Sequence, residues 1–138
     1  MIALLLAQAA VPAGPALSAL GRQELPAAGC AAYLWSPLDR RLVAMATATP
    51  ASLRLSPDGK VVDLPRGEAS GSGGFGLPAS ATFRSGDLVA TLDLTVTTRS
   101  DLTDGALVPQ ATLRLDQPGR DTLVLPLAGM VGCRKPPA

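Results

Sequence analysis

The chain contains no histidine. Ser-His-Asp and Cys-His nucleophile systems need an imidazole base, and many zinc sites need imidazole ligands, so these chemistries are excluded. Lysine occurs only as Lys60, inside a turn-forming stretch, and Lys135, near the C-terminus, and neither is placed for a Ser-Lys dyad. The only glutamates are Glu24 and Glu68, and the aspartates fall mostly in turns or at polar positions of alternating segments. Nothing marks a raised-pKa acid beside an ionised partner, the arrangement a carboxylate-dependent enzyme requires. That enzyme class is the one catalytic alternative left open. The expectation is a non-enzyme with no catalytic residues, no metal site and no cofactor.

Aromatic residues make up 3% of the chain against 47% hydrophobic residues in all, so the core must be built from Ala, Leu and Val. Charge is balanced, with 12 Lys+Arg against 11 Asp+Glu and no run of either sign. A nucleic-acid binder needs a basic patch or stripe, and none is present. No segment after the N-terminus is long and apolar enough to span a bilayer as a helix. At 138 residues a single domain with one core is expected.

The opening Met1-Ile2-Ala3-Leu4-Leu5-Leu6-Ala7-Gln8-Ala9-Ala10 is a short apolar run that ends in small residues and is followed by Pro12 and Pro15. It reads as a signal peptide over residues 1–16, cleaved somewhere in 9–16, which implies a periplasmic or secreted bacterial protein. An N-terminal core strand or helix is the competing reading. Residues 17–29 form an extended lead-in. The two cysteines, Cys30 and Cys133, stand at the first and last strand patterns, and in an exported chain they imply one disulfide. Ala27-Ala28-Gly29-Cys30 also has the small residues of a lipoprotein acylation box. Arg22 and Glu24 interrupt the apolar stretch such a box needs, and acylation would leave Cys133 without a partner. Residues 30–133 are thus assigned to a single β domain, and 134–138 to a disordered tail.

Within that domain, Cys30–Trp35 and Arg41–Ala48 flank the turn residues Ser36-Pro37-Leu38-Asp39 and are expected to pair. Tyr33 and Trp35 share one strand face, which is expected to fill the core rather than stack on a sugar ring. Ser52–Leu55 and Lys60–Leu64 flank Ser56-Pro57-Asp58-Gly59, the clearest hairpin. After Ala79–Arg84 and a Ser85-Gly86-Asp87 turn, Leu88, Ala90, Leu92, Leu94 and Val96 alternate with Val89, Thr91, Asp93, Thr95 and Thr97, predicting one buried and one wet face. Arg99–Leu107 reads as a polar connection, and Ala111–Leu115 and Thr122–Leu127 flank the turn Gln117-Pro118-Gly119-Arg120. About eight short strands with no helical period predict an all-β antiparallel sandwich or barrel, of which we prefer the sandwich.

Residues 67–76 hold five glycines and two serines, too permissive for a helix or an interior strand. They are expected to be a mobile surface loop and the first place to look for binding, through Ser70, Gly71, Ser72 and Phe75. Gly71-Ser72-Gly73-Gly74-Phe75-Gly76 matches G-x-G-x-x-G, but no amphipathic helix follows to receive a pyrophosphate. Asp101-Leu102-Thr103-Asp104-Gly105 lacks the Glu that closes a calcium loop and is better read as Asx-type turns.

Leu55–Gly71, with Asp58-Gly59-Lys60, Leu64-Pro65 and Ala69-Ser70-Gly71, followed by Phe83 and Gly86-Asp87, resembles the central part of the c-type lysozyme inhibitors of Gram-negative envelopes. The resemblance covers residues 55–87 and implies a small β-barrel with a terminal disulfide. It further implies that Ser70 and Gly71 belong to a loop that enters the lysozyme cleft. The chain departs from the family where Ser72-Gly73-Gly74-Phe75 replaces a continuation to Tyr, and it lacks the family's Lys before Gly86. The expected activity is macromolecular binding or an envelope role, with a protein or a glycan as the partner.

Overall fold

The computed structural model describes residues 16–103 and 105–134, so residues 1–15 of the expected signal peptide and 135–138 of the expected tail lie outside the described residues. Eight strands follow in order: β1 (Gly29–Trp35), β2 (Leu42–Thr47), β3 (Ser52–Leu55), β4 (Val62–Ser70), β5 (Ser80–Ser85), β6 (Leu88–Thr97), β7 (Gly105–Asp116) and β8 (Leu123–Arg134). Each pairs antiparallel with the next, and β1 pairs with β8, so the sheet closes on itself as an up-and-down barrel. The all-β expectation holds, and closure decides for the barrel over the preferred sandwich. The register from Gly29↔Arg134 to Trp35↔Ala128 satisfies the backbone groups that a sandwich would leave on two edge strands. Cys30 and Cys133 face each other in that register and are disulfide-bonded, with Cα atoms 4.0 Å apart across 103 residues of sequence. Among the described residues, no helix is long and apolar enough to cross a membrane.

The interior is lined by the inward phase of every strand. Small residues such as Ala32, Ala44, Ala46, Ala81, Ala90 and Ala106 alternate with Leu34, Leu53, Leu64, Leu92 and Leu113, and Phe83 is the one aromatic side chain that is fully buried. Eight strands leave an interior only just wide enough for side chains, so the mixture of Ala and Leu fills it. On β6 the expected facing is observed: Leu88, Ala90, Leu92 and Leu94 are buried, and Asp93 and Thr95 are exposed. Outward positions carry Thr112, Arg114, Arg54 and Asp63. An apolar interior under a polar exterior is the reverse of a lipid-facing barrel's alternation.

Three local expectations are corrected. Tyr33 and Trp35 lie on the outer face, half-buried, because β1 turns Ala32 and Leu34 inward. Both phases of Ala31–Trp35 are apolar, so alternation alone could not choose between them. The connection expected over 99–107 is shorter, since β7 begins at Gly105. A bulge between Val108 and Ala111 shifts the inward phase from Ala106 and Val108 to Ala111, Leu113 and Leu115, and Pro109 sits inside it, where its missing N–H is tolerated. Finally, residues 67–70 are not loop but the end of β4.

Alternating strand direction sorts the connections into two ends. The β1–β2, β3–β4, β5–β6 and β7–β8 turns gather at one end; the β2–β3, β4–β5 and β6–β7 loops gather at the other, with the disulfide. Leu17 of the lead-in closes the first end, joining the core at 8% exposure. It is held by Ser18 N–H donating to Ser56 C=O (2.9 Å) and Asp58 N–H donating to Ala16 C=O (2.7 Å). The Pro57–Lys60 turn beneath it has Asp58 and Gly59 at φ 53 and 86, the pair of positive angles that an Asp-Gly type I′ turn uses. From Leu20, whose N–H donates to Leu42 C=O (2.8 Å), the lead-in runs along the outside of the barrel as a strap. Gln23 Oε1 accepts from Arg54 Nη1 (2.8 Å), and Tyr33 Oη donates to the Glu24 carbonyl (2.9 Å). Leu25 covers Gly132, where a Cβ would come within 2.9 Å of its side chain.

Candidate functional site

The disulfide end is built around a mismatch in strand length. β3 has four residues and β4 has nine, and their register stops at Ser52↔Pro65. One further bond, from Arg66 N–H to Ala51 C=O (3.1 Å), finishes the β3 side. Gly67-Glu68-Ala69-Ser70 therefore pairs with β5 on one flank and with no described strand on the other, and all four residues are exposed. The β4–β5 register slips by one residue between Arg66 and Ala69, leaving a bulge at Gly67 and Glu68, where Glu68 N–H donates to Thr82 Oγ1 (3.2 Å). A glycine-rich sequence is compatible with a strand here because this half of β4 is a bulged edge rather than a sheet interior.

Beyond Ser70 the chain folds over the barrel mouth as a hydrogen-bonded hairpin. Gly73 N–H donates to Leu77 C=O (2.8 Å) and Leu77 N–H to Gly74 C=O (3.0 Å). Phe75 and Gly76, at φ 59 and 78, occupy the two central positions of a second type I′ turn. Leu77 drops into the core at 4% exposure, and half-buried Phe75 packs against the same cluster. Of the expected binding residues, Ser70, Gly71 and Ser72 meet at a shallow groove of about 330 Å³, while Phe75 serves the closure of the barrel and does not line it.

The structure adds Arg66 to that groove. Val62 and Leu64 set the inward phase of β4, and Arg66 continues that phase just where the barrel opens, so its guanidinium emerges at the mouth. The residue was legible in Val62-Asp63-Leu64-Pro65-Arg66 as a cation on an otherwise apolar phase. Arg41, Arg54, Arg99, Arg114 and Arg120 each bind an aspartate at 2.6–2.9 Å, whereas the guanidinium of Arg66, like those of Arg22, Arg40, Arg84 and Arg134, makes no hydrogen bond or ion pair among the described residues. Glu68 is likewise without an ion pair there. It lines a separate groove of about 220 Å³ with Ser80 and Thr82. The two grooves share Ala69 and Ser70, so the overhanging strand has a cationic face and an anionic face.

Elsewhere the possibilities narrow. The void among Ala46, Ala81, Phe83, Leu92 and Leu94 measures about 10 Å³, space for no more than roughly one water. The barrel does not hold a ligand there. A groove of about 850 Å³ runs between the strap and β2–β4, but its central cation, Arg54, is already shared between Asp63 and Gln23. The aspartates whose titration is shifted all go down. Backbone hydrogen bonding from Arg41 lowers Asp39, the Arg120 guanidinium and then the Ala16 N–H lower Asp58, and Arg114 with the Thr122 hydroxyl lower Asp116. Each is stabilised as a carboxylate, the form that cannot donate a proton. Burial pushes the Tyr33 phenol up, partly offset by the charge of Arg134. No cluster of three or more metal-ligating side chains occurs among the described residues.

No family model, no curated protein and no solved structure matches this chain.

Proposed function

We propose that the protein is an exported, non-enzymatic binding domain that engages a macromolecule through the disulfide end of the barrel. The observation that carries this reading is the convergence of Arg66, which has no ion pair among the described residues, with Ser70, Gly71 and Ser72 on an exposed groove, beside a stretch of β4 that meets no described strand on its β3 flank. Support for a non-enzyme comes from the filled interior and from aspartates held as carboxylates in surface pairs. Support for export comes from the N-terminal apolar run and the Cys30–Cys133 bond, which persists in oxidising compartments. The resemblance over residues 55–87 makes c-type lysozyme the first protein partner to try.

The test uses the mature protein immobilised against a periplasmic or secreted fraction, compared with Arg66→Glu and Ser72→Asp, both exposed positions; melting curves matched to wild type check the first, because Arg66 also borders the small interior void. A partner retained by the wild type and lost by both variants supports the reading. Equal retention by all three proteins overturns it. In parallel, inhibition of c-type lysozyme at micromolar protein, abolished by Ser70→Asp, would identify the partner, and absence of inhibition removes that specific assignment.

A further inference from the structure

We propose that the outer face of β8 and β1 is a membrane-docking surface, by which the barrel lies sideways against the headgroup region of a phospholipid bilayer. This face is separate from Arg66 and the groove at residues 70–72, and the proposal goes beyond the binding role assigned to that end.

Outward strand positions elsewhere are polar: Thr91, Asp93 and Thr95 on β6, and Gln110, Thr112 and Arg114 on β7. β8 differs. Its inward phase carries Leu125, Leu127 and Val131, and its outward phase reads Val124, Pro126, Ala128, Met130 and Gly132, with no polar side chain among them. Tyr33 and Trp35 extend this row onto β1, where Tyr33 pairs with Met130 and Trp35 with Ala128. Leu38, in the turn that follows Trp35, is 93% exposed, Val124 56%, Met130 41%, and Leu25, where the strap crosses Gly132, 40%. Of the exposed large hydrophobic side chains among the described residues, Val61 alone lies away from this face. Single exposed aliphatic residues are ordinary, but a contiguous set marks an interaction surface.

Size and shape choose the occupant. At ~3.4 Å per residue and ~4.8 Å per strand, the row from Val124 to Gly132 with its β1 neighbour covers roughly 300 Å². A stable protein pair buries about 800 Å² on each side, so a second copy of this chain gains too little. The side of a barrel is also convex, and two such faces meet along a line, whereas acyl chains close around the contour. A spanning barrel needs an apolar band around its whole circumference, so a stripe on two adjacent strands suits the membrane surface instead. Tyr33 and Trp35 are the amphipathic rings that settle at headgroup level. Arg40, in the Leu38 turn, and Arg134, at the far end of the outward row, make no ion pair among the described residues, and their long stems let the guanidinium reach lipid phosphates. Glu24 and Asp121 at the margins are without ion pairs too, so the apolar row supplies most of the affinity and charge the smaller share.

Trp35 is the single tryptophan of the chain, so its fluorescence reports on this face directly. The test titrates the mature protein with vesicles of phosphatidylethanolamine and phosphatidylglycerol, and with vesicles of phosphatidylcholine alone. The expected result is co-sedimentation with the vesicles, a blue shift of Trp35 emission, and quenching of that emission by lipids brominated on the acyl chain. The double variant Leu38→Ser with Val124→Thr should lower the partition coefficient on the order of tenfold. Arg40→Gln should lower it by up to about fivefold on the anionic vesicles and leave it unchanged on phosphatidylcholine. Arg84→Gln, on β5 across the barrel, should bind like wild type on both. Melting curves matched to wild type establish that the variants are folded, and the brominated-lipid readout on wild type needs no variant. Absence of an emission shift with both vesicle types overturns the proposal, as does a shift that brominated lipid does not quench, or equal binding by the folded double variant. A blue shift that grows with protein concentration in the absence of lipid assigns the face to a second copy and overturns it. A shift with soluble peptidoglycan fragments and none with vesicles assigns the face to a glycan and overturns it as well.

Discussion

The two ends of the barrel are closed by the same kind of plug, one leucine driven into the core, but the plugs are attached differently. Leu17 belongs to a strap that joins the barrel through Gly29 into β1, with no described strand before it, whereas Leu77 sits in a hairpin fixed on both sides by β4 and β5. The Leu17 end is further tied by Asp58, which accepts from Arg120 at 2.6 Å and from Ala16 N–H at 3.3 Å. The disulfide end instead has a covalent seam and leaves residues 67–70 of β4 beside no described strand on the β3 flank. At the Leu17 end the Asp58–Arg120 pair also holds the strap, whereas at the disulfide end Arg66 and Glu68 make no ion pair among the described residues and the Arg99–Asp101 pair stays within its own loop.

The largest expected effect concerns the seam. Replacing both Cys30 and Cys133 with Ala should lower unfolding free energy by about 4 kcal/mol, since the bond closes a loop on the order of 100 residues in the unfolded chain. Reversible urea denaturation measures it. A loss below about 1 kcal/mol would mean that strand pairing alone secures the disulfide end.

Next comes the contrast between the plugs. Leu77→Ala should cost about 2–4 kcal/mol in global unfolding, because its hairpin cannot leave without disturbing β4 and β5. Leu17→Ala should cost the barrel less and should free the strap locally. Trypsin would then cut after Arg22 much faster in Leu17→Ala than in wild type, with the barrel still folded. Equal global losses without faster cleavage would erase the distinction between a one-sided and a two-sided anchor.

A smaller effect is expected along the strap. Tyr33→Phe removes a single hydrogen bond to the Glu24 carbonyl and should cost about 0.5–1 kcal/mol, visible as faster cleavage after Arg22 rather than as a lower melting temperature. If cleavage is unchanged, the strap is held by Leu17 and Leu25 without help from the phenol.

The smallest effect is electrostatic. Asp58 has its folded pKa lowered below 3.8 by Arg120 and Ala16, so its contribution is present above that value and is lost as pH falls through the lower folded pKa. The pair is exposed, so the change is small and salt-dependent. Melting curves between about pH 6 and pH 2 should fall less steeply at the acid end for Asp58→Asn than for wild type. Identical acid slopes would show that this ion pair does not fasten the Leu17 end.

Most of the strands were legible from alternation and turn residues, and the positions where they were not share a cause. The alternating run of Leu88–Thr97 has one face of aliphatic residues and one of Thr and Asp, so its orientation follows directly. Ala31–Trp35 is apolar in both phases, and β7 changes phase at a bulge, so in each case a single strand carries too little information to place its own faces. At the candidate site, Ser70, Gly71 and Ser72 were marked by glycine content. Arg66 is visible in sequence as a cation on the apolar phase of β4, but its place at the mouth depends on where the barrel ends. Phe75 looked presentable in sequence and instead packs inward, since the turn around it directs the ring to the core.

The sequence by itself determined the strand-forming segments, the aliphatic character of the core, the absence of histidine chemistry and the pairing of its two cysteines, because these follow from composition and from period-two patterning. Tertiary structure alone decided that the sheet closes, that Leu17 and Leu77 plug opposite ends, and that β4 outruns β3 to leave an edge beside Arg66. Each of those depends on which strands lie side by side and in what register, a relation between segments far apart in the chain that no local pattern encodes.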